Sequence, residues 1–196
     1  MISNIVLLRK VNMAKDFQAK AKILKTCRDI ISQDGINGLN MRKVANLSNL
    51  AIGTVYYYFP SKESLITASI ESVWEDIFML DNINLDNFNT CDFVKYVYEN
   101  IKKGMTKYPN FLSIHALSLS NGKDQAAKEL MDSFLQKVET DLIYILNKDP
   151  KVRKDVFDDT FSEGLFSEFI ITNIISVWLT QNSPETLLKV IDKTLY

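Results

Sequence analysis

Apolar residues recur along this chain at spacings of three and four, and these segments show no period-two alternation of the kind a half-buried strand requires. An all-α fold is expected. From Lys15 to Asp34, the residues Phe17, Ala21, Leu24, Cys27 and Ile31 share one helical face, and Gly35 supplies the stop. A short helix follows from Asn40, whose side chain caps it, with Met41, Val44, Ala45 and Leu47 as its buried stripe. Ser48 and Asn49 break that pattern, and Asn tolerates the left-handed backbone of a sharp turn. In the next short helix Ile52, Val55 and Phe59 face inward, Gly53, Thr54, Tyr57 and Tyr58 face outward, and Tyr56 lies on the border. A fourth helix starts after a Ser61 cap and runs through Leu65, Val73, Ile77 and Leu80.

The Asn- and Asp-rich stretch 81–90 reads as a loop, after which helices are expected over 91–107, 110–120, 124–147, 156–181 and 184–195. Pro109, Gly122, Pro150 and Pro184 separate them. Between Phe161 and Leu179 the chain is apolar on nearly every face, so both sides of that helix must be covered, either by its own domain or by a second copy of the chain, and both are expected. The domain reading is therefore a mobile arm or extended start over 1–12, a three-helix module over 13–62, a connector helix over 63–81 and a helical body over 82–196.

Charge changes the picture once it is divided. Residues 1–62 hold 10 Lys and Arg against 3 Asp, whereas the remainder holds 13 against 21, so a net charge of -1 conceals a basic head and an acidic body. Such a division favours docking on a phosphate backbone by one end of the molecule. Two cysteines, Cys27 and Cys91, lack the spacing with His that zinc ligation requires, so no metal or other cofactor is expected. With one His, no glycine-rich phosphate loop and no nucleophile elbow, no constellation for catalysis is present and an enzyme is not expected. No apolar run approaches the roughly 18–20 residues of a membrane span, and Ile5–Leu8 is too short for a signal-peptide core, so a cytoplasmic protein without membrane association is expected.

The run Gly53, Thr54, Val55, Tyr56, Tyr57, Tyr58, Phe59, followed by Pro60, Ser61, Lys62 and Glu63, resembles the recognition-helix stretch of the TetR family of bacterial transcriptional regulators. The likeness extends from about Ala21 to Leu65. Where that family generally has Ala-Gly-Val-Ser in its turn, this chain has Ser48, Asn49, Leu50 and Ala51, which removes a glycine and a helix cap. The missing cap costs about 1 kcal/mol. The resemblance implies an N-terminal helix-turn-helix DNA-binding domain and a C-terminal helical domain for ligand binding and dimerisation. It assigns DNA contacts to Asn40, Arg42, Gly53, Thr54, Tyr56, Tyr57, Tyr58 and Lys62, with Lys62 on a phosphate and Gly53 admitting close backbone approach. A homodimer through about 156–181 and 184–195 would then address a palindromic operator in double-stranded DNA.

Between Val44 and Ser61 there is no Arg or Lys, so the bidentate Arg–guanine contact is unavailable from the second helix. An AT-rich operator is expected, with Thr54 or a Tyr ring on a thymine methyl. The resemblance further implies a repressor released by a small hydrophobic or aromatic effector. Candidate lining residues are Tyr96, Asn100, Phe111, His115, Phe134, Phe169 and Asn173. The alternative is a DNA-bound architectural or partner-recruiting protein whose body binds another protein. The two are told apart by whether a small molecule releases the protein from its operator.

Overall fold

The computed structural model describes residues 2–80, 83–109, 111 and 125–196, with side chains from residue 17 onward except 125–128 and 130. Its described residues form α1 (Ile2–Asp34), α2 (Met41–Leu47), α3 (Ile52–Tyr58), α4 (Lys62–Phe78), α5 (Thr90–Lys107), α6 (Gln125–Lys148), α7 (Glu163–Leu179) and α8 (Glu185–Leu195), with single 3-10 turns at Ile36–Gly38 and Leu85–Asn87. The all-α expectation holds. The chain divides into two compact units, Met1–Val73 with Lys107–Leu117 and Trp74–Thr106 with Ser118–Tyr196. The division falls inside α4, so the helix read as a connector contributes to both units.

In the first unit α2 packs on α1 and on α3. Its interior holds Ile23, Cys27, Ile30 and Ile31 of α1 together with Leu39, Val44, Val55, Phe59 and Leu65. Two details of α1 differ from expectation. Phe17 and Ala21 are exposed, whereas Cys27 and Ile31 of the same stripe are buried together with Ile23 and Ile30, so the covered surface lies in the carboxyl half of α1. The residues read as an arm are also helical from Ile2 onward, since residues 2–34 contain no Gly or Pro and little else that would end a helix. Gly35 ends α1 at φ 71, a backbone region that side-chain-bearing residues avoid, and its amide donates to Ile31 O at 3.0 Å. Arg28 Nη1 donates to Ser72 Oγ, joining α1 to α4 within this unit.

The second unit is built around rings. Trp74 and Phe78 of α4 stack at 5.7 Å between centroids, and Phe134 of α6 stacks on Phe78 at 5.5 Å. Phe93, Val94 and Val97 of α5, Leu142 and Ile145 of α6, Phe166, Ile170 and Ile174 of α7, and Leu187, Ile191 and Leu195 of α8 are among the other buried residues. Gly104 permits α5 to meet α4 closely, for a Cβ there would lie 2.7 Å from Ile77 Cγ1. The helix expected over 156–181 begins later, at Glu163. Asp158 Oδ1 accepts from the amides of Thr160 and Phe161 at 2.7 and 2.9 Å, which holds a turn, and Ser162 then caps α7 by accepting from Leu165 N. Apart from Phe111, the helix expected over 110–120 lies outside the described residues.

Candidate nucleic-acid interface

The helix pair is held by local chemistry that its sequence supplies. Asn40 adopts extended backbone and its Oδ1 accepts from Lys43 N at 2.8 Å, capping α2. Ser48 is buried at the carboxyl end of α2 and its hydroxyl donates to Ala45 O. Asn49 then takes φ 52, and Leu50 N reaches back to Ala45 O at 3.0 Å, so an asparagine performs the left-handed turn. Ala51 offers no side-chain cap to α3. What fixes α3 is burial of Val55, with Phe59 buried just beyond its end.

The outer face of α3 is open. Tyr57 is 72% and Tyr56 50% exposed, and nothing lies within 4 Å of a Cβ built on Gly53. Thr54 and Tyr58 flank this face and are half-buried. The Tyr58 ring meets that of Tyr57 edge-on at 5.0 Å, so Tyr58 steadies its neighbour and is less outward than its position in sequence suggests. Ile52 departs from expectation more sharply: it is 41% exposed, because it sits in the first turn of α3, ahead of the point where the helix meets its partners. Leu47, expected on the buried stripe of α2, is 61% exposed for a similar reason at that helix's last residue.

Of the cationic groups, Arg42 and Lys62 are exposed, whereas Lys43 Nζ is ion-paired with Asp34 Oδ2 at 2.5 Å. Lys62 is the first residue of α4, just after a reciprocal cap in which Ser64 N donates to Ser61 Oγ and Ser61 N to Ser64 Oγ, each at 3.1 Å. At the same helix start the Glu63 carboxyl is held below its usual range, first by its own backbone amide and then by the Ser61 hydroxyl. Asn40, Arg42, Gly53, Tyr56, Tyr57 and Lys62 are thus all exposed in the first unit, with Thr54 and Tyr58 half-buried beside them.

The residues proposed from sequence as an effector lining are not gathered in the same way. Tyr96 Oη donates to Met79 O at 2.8 Å and Asn100 Nδ2 to Phe78 O at 3.2 Å, so both satisfy carbonyls at the end of α4. Phe134 lies in the aromatic stack, while Phe169 is exposed and Asn173 Nδ2 donates to Phe169 O within α7. Phe111 belongs to the first unit, where it is buried against Tyr108, and His115 lies outside the described residues. A surface groove of about 740 Å³ in the second unit is lined instead by polar residues including Asp86, Asp92, Lys148, Asp149 and Asp192. Phe111 borders a cavity of about 450 Å³ in the first unit, beside Ile31, Gly35 and Pro109.

Residues 23–68 match the family model described as bacterial regulatory proteins, tetR family. The HTH-type transcriptional repressor KstR of Rhodococcus jostii is 23% identical over 175 residues, an alignment covering 86% of this chain and 76% of that protein. Among solved structures, the reduced form of Escherichia coli NemR superposes with a TM-score of 0.59 at 14% identity, covering 91% of this chain and 98% of that one. The multidrug binding protein EbrR complexed with proflavin superposes with a TM-score of 0.53 at 15% identity, covering 90% of this chain and 99% of that one. A helix-turn-helix module with its outer face open, matched over residues 23–68 by the family model and aligned with a repressor along most of the chain, makes this protein a DNA-binding regulator whose amino-terminal module is similar to that of the TetR family.

Proposed function

We propose that this regulator is a repressor that binds a palindromic operator as a homodimer and leaves it when a small hydrophobic or aromatic effector occupies the helical body. The observation that carries the reading is the pairing of two uncovered surfaces. One is the α3 face centred on Gly53 and Tyr57. The other is the outer side of α7, where Leu165, Phe169 and Leu179 are exposed while Phe166, Ile170 and Ile174 are buried on the opposite side. Leu165, Phe169, Thr172, Ser176 and Leu179 follow steps of four and three, the seam by which one helix packs along another. A second copy presenting α7 and α8 covers that seam and sets two α3 helices on one face of a duplex.

For the effector, the Trp74, Phe78 and Phe134 rings of the second unit suit an aromatic ligand, and the fold neighbour EbrR was solved with proflavin. Because α4 supplies Trp74 and Phe78 to this unit and Leu65 to the other, a ligand that repacks the rings would bias the helix carrying Lys62. The test is to select duplexes from a random pool with the full-length protein and measure its mass by sedimentation, free and DNA-bound. A palindromic consensus bound by two copies is expected. A monomeric protein, or one with no preference over random competitor, would refute the reading.

A further inference from the structure

We propose that Ile52 is a specificity-determining residue that reads the 5-methyl group of a thymine in the major groove, an assignment that rests on the operator-binding reading above. An isoleucine on a seven-residue helix whose other apolar anchor, Val55, is fully buried would ordinarily be spent on the core. Ile52 is not: it is 41% exposed, beside the open Gly53 and one turn before Tyr56. Counted at 100° per residue, Gly53 and Tyr57 mark the centre of the outer face, with Ile52 and Tyr56 along one edge and Thr54 and Tyr58 along the other. The amino-terminal turn of a recognition helix is the part that meets base edges. There the missing Cβ of Gly53 lets the backbone descend, which brings the branched Ile52 side chain to the depth at which pyrimidine methyl groups project.

The remaining chemistry of the turn points the same way. No Arg or Lys occurs between Val44 and Ser61, so the first turn of α3 offers guanine no bidentate partner. A hydrocarbon side chain distinguishes bases in the major groove through the one apolar group they present there, the thymine methyl. Desolvating the Ile52 surface against a cytosine amino group instead leaves that donor unpaired. The Ile52 contact is thus more specific than the Thr54 or tyrosine contacts expected from sequence, because neither of those requires a methyl to be satisfied.

The test alters the DNA before the protein. In the operator selected by the full-length chain, each thymine is replaced singly by deoxyuridine, which removes the methyl and nothing else. At one position per half-site the affinity of the wild-type protein should fall about fourfold, the worth of one buried methyl-sized group. Ile52→Ala should bind thymine and uracil operators equally, with unaltered thermal unfolding, and Ile52→Val should restore part of the discrimination. Cytosine to 5-methylcytosine at that position should recover part of the lost binding. Equal affinity of the wild type for every deoxyuridine operator overturns the proposal, as does full thymine preference in Ile52→Ala, which would hand the methyl to another residue. Failure to enrich any sequence at all is a different result and sinks the DNA-binding reading itself.

Discussion

Replacing Gly53 by alanine should make the protein more stable and a worse DNA binder at once. Gly53 lies within α3, shows no left-handed backbone, and has nothing within 4 Å of the position a Cβ would occupy. The added methyl therefore meets no protein atom, while it restricts the unfolded chain and improves helix propensity. The gain is about 0.5–1 kcal/mol at most, or about 1–4 °C in Tm for a chain of this length. At the duplex the same methyl stands where backbone should approach bases, and the expected loss is tenfold or more, on the order of one mismatched base pair. Thermal unfolding followed by circular dichroism and fluorescence anisotropy on the selected operator give the two numbers independently. A lower Tm would show that Gly53 serves the fold, and an unchanged affinity would show that this backbone never nears the DNA. Either outcome refutes the reasoning.

Gly104→Ala should behave in the opposite way, since its methyl would lie 2.7 Å from Ile77 Cγ1; a loss of about 1–3 kcal/mol in denaturant unfolding is expected, and a neutral effect would mean that α4 and α5 separate at little cost. Lys62→Ala should weaken all duplexes alike and reduce the slope of log K against log salt by about 1, and an unchanged slope would remove Lys62 from the phosphate contacts. Phe169→Glu on the exposed side of α7 should shift the protein toward monomer in sedimentation and weaken palindromic sites more than half-sites; a persistent dimer would place the interface elsewhere. Burial, with Asp192 and Asp92 nearby, pushes the Cys91 thiol up to about 11. The folded state thus holds this proton more tightly, so its contribution is fully present below about pH 9 and disappears as pH rises toward 11. Iodoacetamide should accordingly label Cys91 slowly at pH 8 in the folded protein and quickly in urea, and equal rates would contradict the burial.

The local grammar of the DNA-binding module was legible in the chain because short-range chemistry decides it. The Asn40 cap, the left-handed turn at Asn49, the stop at Gly35 and the start of α4 at Ser61 each depend on residues within a few positions. The resemblance over Gly53–Glu63 then located the exposed tyrosines and Lys62 on one unit. That Cys27 and Ile31 of α1 are buried while Phe17 and Ala21 on the same stripe are exposed was decided by where the rest of the unit lies, a long-range fact that periodicity within α1 does not contain. The same limit explains Ile52 and Leu47, whose spacing put them inward but whose places at helix ends leave them uncovered. For α7, apolar on nearly every face, the sequence called for cover on both sides. Only the packed chain showed that Phe166, Ile170 and Ile174 are covered within it and that Leu165, Phe169 and Leu179 are left over. Hydrogen bonds to nearby backbone are written residue by residue, whereas burial depends on the sum of everything that arrives from a distance.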